Sequence, residues 1–260
     1  MEPDLNQFYG NYDENGRLLT RAGHVEFVTT MHFIEKYLTP GARILEVGAA
    51  TGRYSHTLAR MGYRVDAVEL VEHNIEIFNE LTQPGEAVTI RQGNAVDLSA
   101  FADNTFDLTL ILGPMYHLFE ESDRRQALQE AVRVTKQGGV IFAAYCMLDA
   151  CILCYGFAQN ELNSLIRDNR IDLTDFTQIP HRLDFFHLCR REEIDALRSG
   201  LGVTQLHFAA AEGYAKHMEA ALAAMDEETY NLFLRYHLHT CERQDMVGIS
   251  HHTVDIFRKD

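Results

Sequence analysis

The chain of 260 residues is 46% hydrophobic and 23% charged, the balance of an ordinary soluble protein long enough for one large domain or a domain with a cap. With 23 Lys and Arg against 38 Asp and Glu its formal charge is −15, so it would on average repel a polynucleotide; "DRRQ" (123–126) and "CRREE" (189–193) sit beside acids and read as solvated helix faces. No apolar run reaches the roughly 18 residues of a membrane helix and no charged, then apolar, then small-residue signal opens the chain, so the expectation is a cytoplasmic protein without membrane or nucleic-acid partners.

The first periodic segment is a helix from His24 to Leu38, with Phe27, Val28, Met31, Ile34 and Leu38 on one side. Next comes "ARILEV", a buried strand, a glycine turn, and the helical "RYSHTLARMG". Strands and helices then alternate. "YRVDAVEL" is a strand, "VEHNIEIFNELT" a helix, "EAVTIRQG" and "FDLTLILG" strands, "SDRRQALQEAVRVTK" a helix capped by Ser122, and "GGVIFAAY" a strand. This alternation implies right-handed crossovers and an α/β fold with a mainly parallel sheet between helices.

Beyond Tyr145 the pattern changes to a long, mostly helical stretch, in which "CILC" places Cys151 and Cys154 on one helix face as two packed thiols. The five scattered cysteines (146, 151, 154, 189 and 241) suit a reducing compartment. Strand-like segments return at 202–209 and 246–259, separated by two helices meeting at Asp226. The expectation is a single domain, 1–260, with insertions at 146–200 and 211–245 forming a helical cap over the ligand end of the sheet. No metal site is assigned: no HxH or HxxxH has a carboxylate at ligand spacing on a clear helix except the "HLH" at 237–239, whose i, i+2 rings point in different directions.

The glycine turn, "EVGAATG", does not follow the GxGxxG order of a dinucleotide site. It reads Glu46-x-Gly48-x-Ala50-x-Gly52, with small residues where a backbone must approach a ligand; Ala50 is compatible provided its φ is negative. This pattern resembles motif I of the class I S-adenosylmethionine-dependent methyltransferases. "GPMYHL" after the fourth strand and the glycine pair before the fifth are similar to a small-molecule branch of that family, and the early "FYGNYDENGRL" and the last segment look like the same branch.

The resemblance implies a Rossmann-like, seven-stranded, mainly parallel sheet whose last strand runs antiparallel, and S-adenosylmethionine as cofactor. It implies a cofactor set of Glu46, Gly48, Ala50, Gly52, Glu69, Leu70, Asn94, Ala95, Leu112 and Arg17: Glu46 toward the ammonium end, Glu69 on the ribose hydroxyls, Asn94 and the Ala95 backbone on the adenine amine. Tyr9, Tyr12 and Arg17 form a flap whose arginine pairs with the cofactor carboxylate or with nearby acids, or else anchor the N-terminus.

Methyl transfer is an in-line displacement, so alignment is the main task and a base is needed only for a protonated acceptor. Tyr116 and His117 stand where the methyl group should point. They are the catalytic candidates, His117 as a base titrating near the imidazole pKa, with loop packing as the alternative. "GPMY" lacks the Asn or Asp that would hold a planar amine, which disfavours nucleobase and amide acceptors and leaves an oxygen, nitrogen or sulfur of a small molecule. An NAD-dependent oxidoreductase and a non-catalytic cofactor-binding protein stay as alternatives, and the oligomeric state is open.

Overall fold

The structure, a computed structural model, describes residues 5–10, 14–181 and 184–260; Tyr12 lies outside them. Its strands are β1 (Arg43–Val47), β2 (Arg64–Glu69), β3 (Val88–Gln92), β4 (Phe106–Ile111), β5 (Thr135–Met147), β6 (Leu188–Cys189), β7 (Val203–Ala210) and β8 (His252–Lys259). They form one sheet in the order β3-β2-β1-β4-β5-β8-β7, with the two-residue β6 pairing beside the end of β5. Strands β1 to β5 are parallel, and β8 runs antiparallel to both β5 and β7. This is the expected Rossmann-like sheet with an antiparallel last strand, plus the short β6.

The strands are apolar on both faces because helices cover both, so neighbouring residues serve opposite cores. Leu45, Ile141 and Phe257 join Ala127, Leu128 and Ala131 of the helix Glu121–Val134 on one side. Their sequence neighbours Ile44, Phe142 and Ile256 join Phe33 and Ile34 of the helix Arg21–Tyr37 on the other. Strand order reverses between β1 and β4, which opens a crevice beyond the carboxyl ends of these strands.

Three local expectations are corrected. Helix 121–134 is entered from an extended Glu120 without a side-chain cap, so Ser122 sits inside the first turn and does not cap it. The 246–259 segment is not strand throughout: Gln244–Val247 is a helix and the strand begins only at His252. There the Ser250 hydroxyl accepts from Gly213 N–H and donates to the His252 carbonyl, holding the chain in a turn. Cys151 ends a short α-helix and Cys154 lies in a π-helix, Ile152–Ala158, so the two do not belong to one α-helix, although both are packed thiols. All five cysteines are buried and free.

The glycine turn brings a fourth correction. Ala50 has φ +46°, not a negative value. Its left-handed backbone is held because Ala50 N–H donates to Glu69 Oε2 at 2.8 Å, an interaction that compensates the strain. Gly48 N–H and Ala49 N–H both donate to the Val68 carbonyl, so the turn is folded back on β2. Gly52 has φ +87°, and a Cβ there would stand 2.5 Å from Phe78 Cδ2, an atom of the buried core. Gly52→Ala should therefore destabilise the fold by about 2 kcal/mol or more, combining backbone strain with overpacking. Denaturant unfolding checks this; a change near zero would show that the turn relaxes freely.

Candidate functional site: a cofactor cavity and its neighbour

A cavity of about 440 Å³ lies beyond the carboxyl ends of β1, β2, β3 and β4. Each of these strands delivers a residue as it ends: Glu46 and Val47, Glu69, Gln92, and Leu112 just past β4. Arg17, Glu46, Gly48, Ala50, Glu69, Leu70, Asn94, Ala95, Leu112, Tyr116 and His117 all line it. Gly52 does not. It starts the helix Arg53–Arg60 and faces Phe78 and His56, so its role is to let helix and strand meet.

Glu69 is 6% exposed and held by N–H groups. Besides Ala50 N–H, its Oε1 accepts from Val71 N–H at 2.9 Å and from Asn74 Nδ2 at 3.4 Å. Burial raises its pKa, and these hydrogen bonds oppose the rise. Glu46 is 2% exposed and has far less support, since its Oε2 accepts from the Ser55 hydroxyl. Burial pushes its carboxyl up to about 8, with a contribution from the nearby Glu69. Glu46 is thus protonated at neutral pH until a positive group arrives.

Arg17 donates to Glu26 at 2.6 Å, so the arginine is paired with an acid beside the cavity. Asn94 Oδ1 accepts from Val96 N–H at 3.2 Å, which leaves its amide nitrogen outside that turn contact. Tyr116 donates its hydroxyl to the Leu112 carbonyl at 3.0 Å.

His117 is more constrained than the sequence suggested. Its Nδ1 lies 2.8 Å from the Phe185 carbonyl, which only accepts, so Nδ1 carries the proton. Nε2 then accepts from the Tyr9 hydroxyl at 2.8 Å. Burial holds the imidazole down at about 4, against the raising effect of the Phe185 bond. The expected titration near the ordinary imidazole pKa is therefore corrected to a neutral ring throughout the physiological range.

Sequence reasoning missed Arg53, Asn74 and Glu26. Arg53 lines the cavity from the first position of its helix, stacks on Phe27 at 4.7 Å, and its buried Nε has no hydrogen-bond partner among the described residues. An arginine opening a helix carries no sequence signal, but its place directly after the motif could have singled it out.

A second cavity of about 560 Å³ adjoins the first, and Tyr9, Arg17, Glu26 and Tyr116 line both. Its other walls come from the segments following β5 and β7 and from the start of β8, including Cys151, Ile152, Phe186, Leu188, Glu212, His251 and His252. In the region of this shared wall His252 Nδ1 lies 3.7 Å from Glu26 Oε2 and 3.5 Å from Glu212 Oε1.

The state of Glu46 generates a pH test. Its folded pKa, about 8, exceeds the ordinary 4.5, so the stability it contributes is present below pH 4.5 and is lost as pH rises through 8. Glu46→Gln should flatten that part of the ligand-free protein's stability profile and leave it relatively more stable at pH 8. Equal slopes for both proteins between pH 5 and 8 would refute the buried, protonated acid.

A family described as a methyltransferase domain matches residues 45–143, the stretch from β1 to β5 that builds the first cavity. The O-methyltransferase resE of Aspergillus sclerotiorum is 29% identical over 158 residues, 54% of this chain and 58% of that protein. The glycine/sarcosine N-methyltransferase of Aphanothece halophytica is 30% identical over 140 residues, 53% of this chain and 52% of its own length. The chain spans about half the length of the curated relatives it matches. In fold it is similar to a SAM-dependent methyltransferase of Methanosarcina mazei, with a TM-score of 0.57 at 17% identity over 87% of this chain and 96% of that one. No helix among the described residues is long and apolar enough to cross a membrane. Sheet order and the acid-bounded glycine turn agree with these matches: residues 45–143 match a methyltransferase-domain family, and the fold is that of S-adenosylmethionine-dependent methyltransferases.

Proposed function

We propose that the chain transfers the methyl group of S-adenosylmethionine to an oxygen, nitrogen or sulfur of a small molecule seated in the second cavity. The observation that carries this reading is the pair of adjoining cavities at the carboxyl edge of the sheet, divided by Tyr9, Arg17, Glu26 and Tyr116. A donor in one and an acceptor in the other would meet across this wall, and the segments 146–200 and 211–245 would act as the cap that closes the acceptor side.

The residues present fit the cofactor. Glu46, a buried acid held by Ser55 alone through its hydroxyl and backbone, suits a cationic ammonium end, and the unpartnered Nε of Arg53 suits the adjacent carboxylate. An ionised carboxylate offers about four acceptor sites. Glu69 commits them to Ala50, Val71 and the long Asn74 contact, so two ribose hydroxyls would take the free site and replace Asn74. The Asn94 amide and the Ala95 backbone border the place for the adenine edge.

The same turn argues against a dinucleotide. A pyrophosphate needs free backbone N–H groups, whereas those of Gly48, Ala49, Ala50 and Gly52 are all spent inside the turn or on Glu69 and Val68.

S-adenosylmethionine supplies an activated methyl group, and the protein would hold the acceptor in line and exclude water. Tyr116 would orient the acceptor through its ring and hydroxyl. His117 would act through Tyr9, which lines both cavities: its neutral Nε2 accepts the Tyr9 proton and so would hold that hydroxyl in place. This makes His117 a positioning residue.

Two measurements test the reading. Glu69→Ala should weaken S-adenosylhomocysteine binding in calorimetry by about 1.5–3 kcal/mol, the value of hydrogen bonds to a charged group; NADH should give no heat. For a candidate acceptor, S-adenosylhomocysteine release should be independent of His117 ionisation between pH 5.5 and 8, and Tyr9→Phe and His117→Gln should lower kcat by similar factors. A rate in wild type that rises with a midpoint near pH 6.5 and loses that rise in His117→Gln would restore the histidine as a direct base.

A further inference from the structure

The second cavity holds a group of side chains that methyl transfer by alignment does not use. Glu212, which follows β7, His251, which precedes β8, and His252, its first residue, each offer a ligand atom, and the three atoms lie within 4.8 Å of one another. The antiparallel β7–β8 pairing brings them together, with Ala210 opposite Thr253. Two atoms of the group are anomalous. Glu212 Oε2 and His251 Nδ1 are buried and have no hydrogen-bond partner among the described residues, although Glu212 is 4% and His251 8% exposed. Leaving such atoms unpaired costs about 1–3 kcal/mol each, so two in one cluster call for a ligand.

The other atoms of these residues are fixed as they would be around a metal. His251 Nε2 lies 3.0 Å from Cys151 Sγ; in the tautomer whose Nε2 carries the proton and donates it to sulfur, Nδ1 presents a bare lone pair. Glu212 Oε1 accepts from the His252 backbone N–H at 2.7 Å, which orients the carboxylate and leaves Oε2 to the cavity. His252 Nδ1 faces Glu212 and Glu26.

We propose that Glu212, His251 and His252 bind one borderline divalent cation of the zinc type, with an open coordination position turned to the second cavity. Two imidazoles and one carboxylate form the donor set of an open, three-ligand site, whereas calcium and magnesium require oxygen shells. Tetrahedral ligands at zinc distances stand roughly 3.3 Å apart, so side-chain movements of about 1 Å close the group around the ion. His252 ligates as the neutral ring, and the cation displaces any proton it shares with the two glutamates.

The role of this ion rests on the proposed methyl transfer and narrows its acceptor. The open position takes a thiol or hydroxyl as its anion, releasing the proton to solvent. The acceptor's lone pair then forms the bond to the methyl carbon while the carbon–sulfur bond of S-adenosylmethionine breaks, its electron pair remaining on the sulfur of S-adenosylhomocysteine. This places the base function on the ion.

The full chain, stripped with a chelator, is titrated with Zn²⁺ and Co²⁺ in calorimetry without cofactor. Wild type should bind one equivalent; Glu212→Gln and His251→Asn should bind about 100-fold more weakly, and Cys151→Ser about 10-fold. The exposed His73→Ala serves as the control and should bind as wild type does. Unchanged S-adenosylhomocysteine affinity in each variant establishes that it is folded. X-ray absorption of zinc on wild type should show two imidazoles with light oxygen ligands, a result that needs no variant. Absence of binding, binding that the Glu212 and His251 changes leave intact, or a sulfur-rich or all-oxygen shell would overturn the site. Wild type that binds zinc but not S-adenosylhomocysteine would sink the methyltransferase reading and leave the metal site standing.

Discussion

The structure depends on one buried carboxylate. Glu69 ends β2 almost fully buried, so its charge must be matched largely by N–H groups, and the matching donors come from Ala50, Val71 and Asn74. Ala50 can reach it only from a left-handed backbone, and that backbone sets how the chain passes from β1 into the next helix. Gly48 and Gly52, both at positive φ, accommodate the same path. The turn, the exit of β2 and the floor of the first cavity are therefore one hydrogen-bonded object, and a change in any of them reaches the others.

Glu46 lies in the same cavity and has the opposite support. Where Glu69 has N–H donors from three residues, Glu46 has Ser55 alone, through its hydroxyl and backbone, and its carboxyl rises to about 8. Two acids so close, with one under-solvated, make a cavity that gains most from a ligand with a positive end, because the ligand's charge relieves burial and mutual repulsion together. In the second cavity Glu212 Oε2 and His251 Nδ1 are buried without a hydrogen-bond partner among the described residues, as Arg53 Nε is beside the first. Both halves of the site thus hold unmet polar demand, and this demand is more informative about ligands than the fold.

Much of this was legible in the sequence because it is local. The alternation of strands and helices, the acid two residues before Gly48 and the acid ending the second strand each lie within a short window, and period and turn chemistry suffice to read them. What escaped needs distance. His117 is neutral because Phe185 and Tyr9, from remote segments, hold its two nitrogens. The His251–His252 pair finds its carboxylate in Glu212, which stands beside it only once β7 and β8 are paired. Ser122 has the residue type of a cap, although the chain enters the helix two residues earlier, at Glu120. The φ of Ala50 was unreadable for the same reason, as residue type disfavours what Glu69 enforces.

The position of β8 has a consequence for how the chain assembles. It lies between β5 and β7, and β7 joins the sheet through β8 alone. On a ribosome the five parallel strands can order themselves as they emerge, but β7 has nowhere to dock until residues 252–259 have been made. During that interval the edges of β5 and β7 are both open to strands of other chains. Asp255 and Arg198 must also find each other then, since this largely buried ion pair joins β8 to the helix Arg191–Arg198. The second cavity is thus completed only once residues 252–259 have emerged, and until then a nascent chain holds the first cavity with no second one beside it.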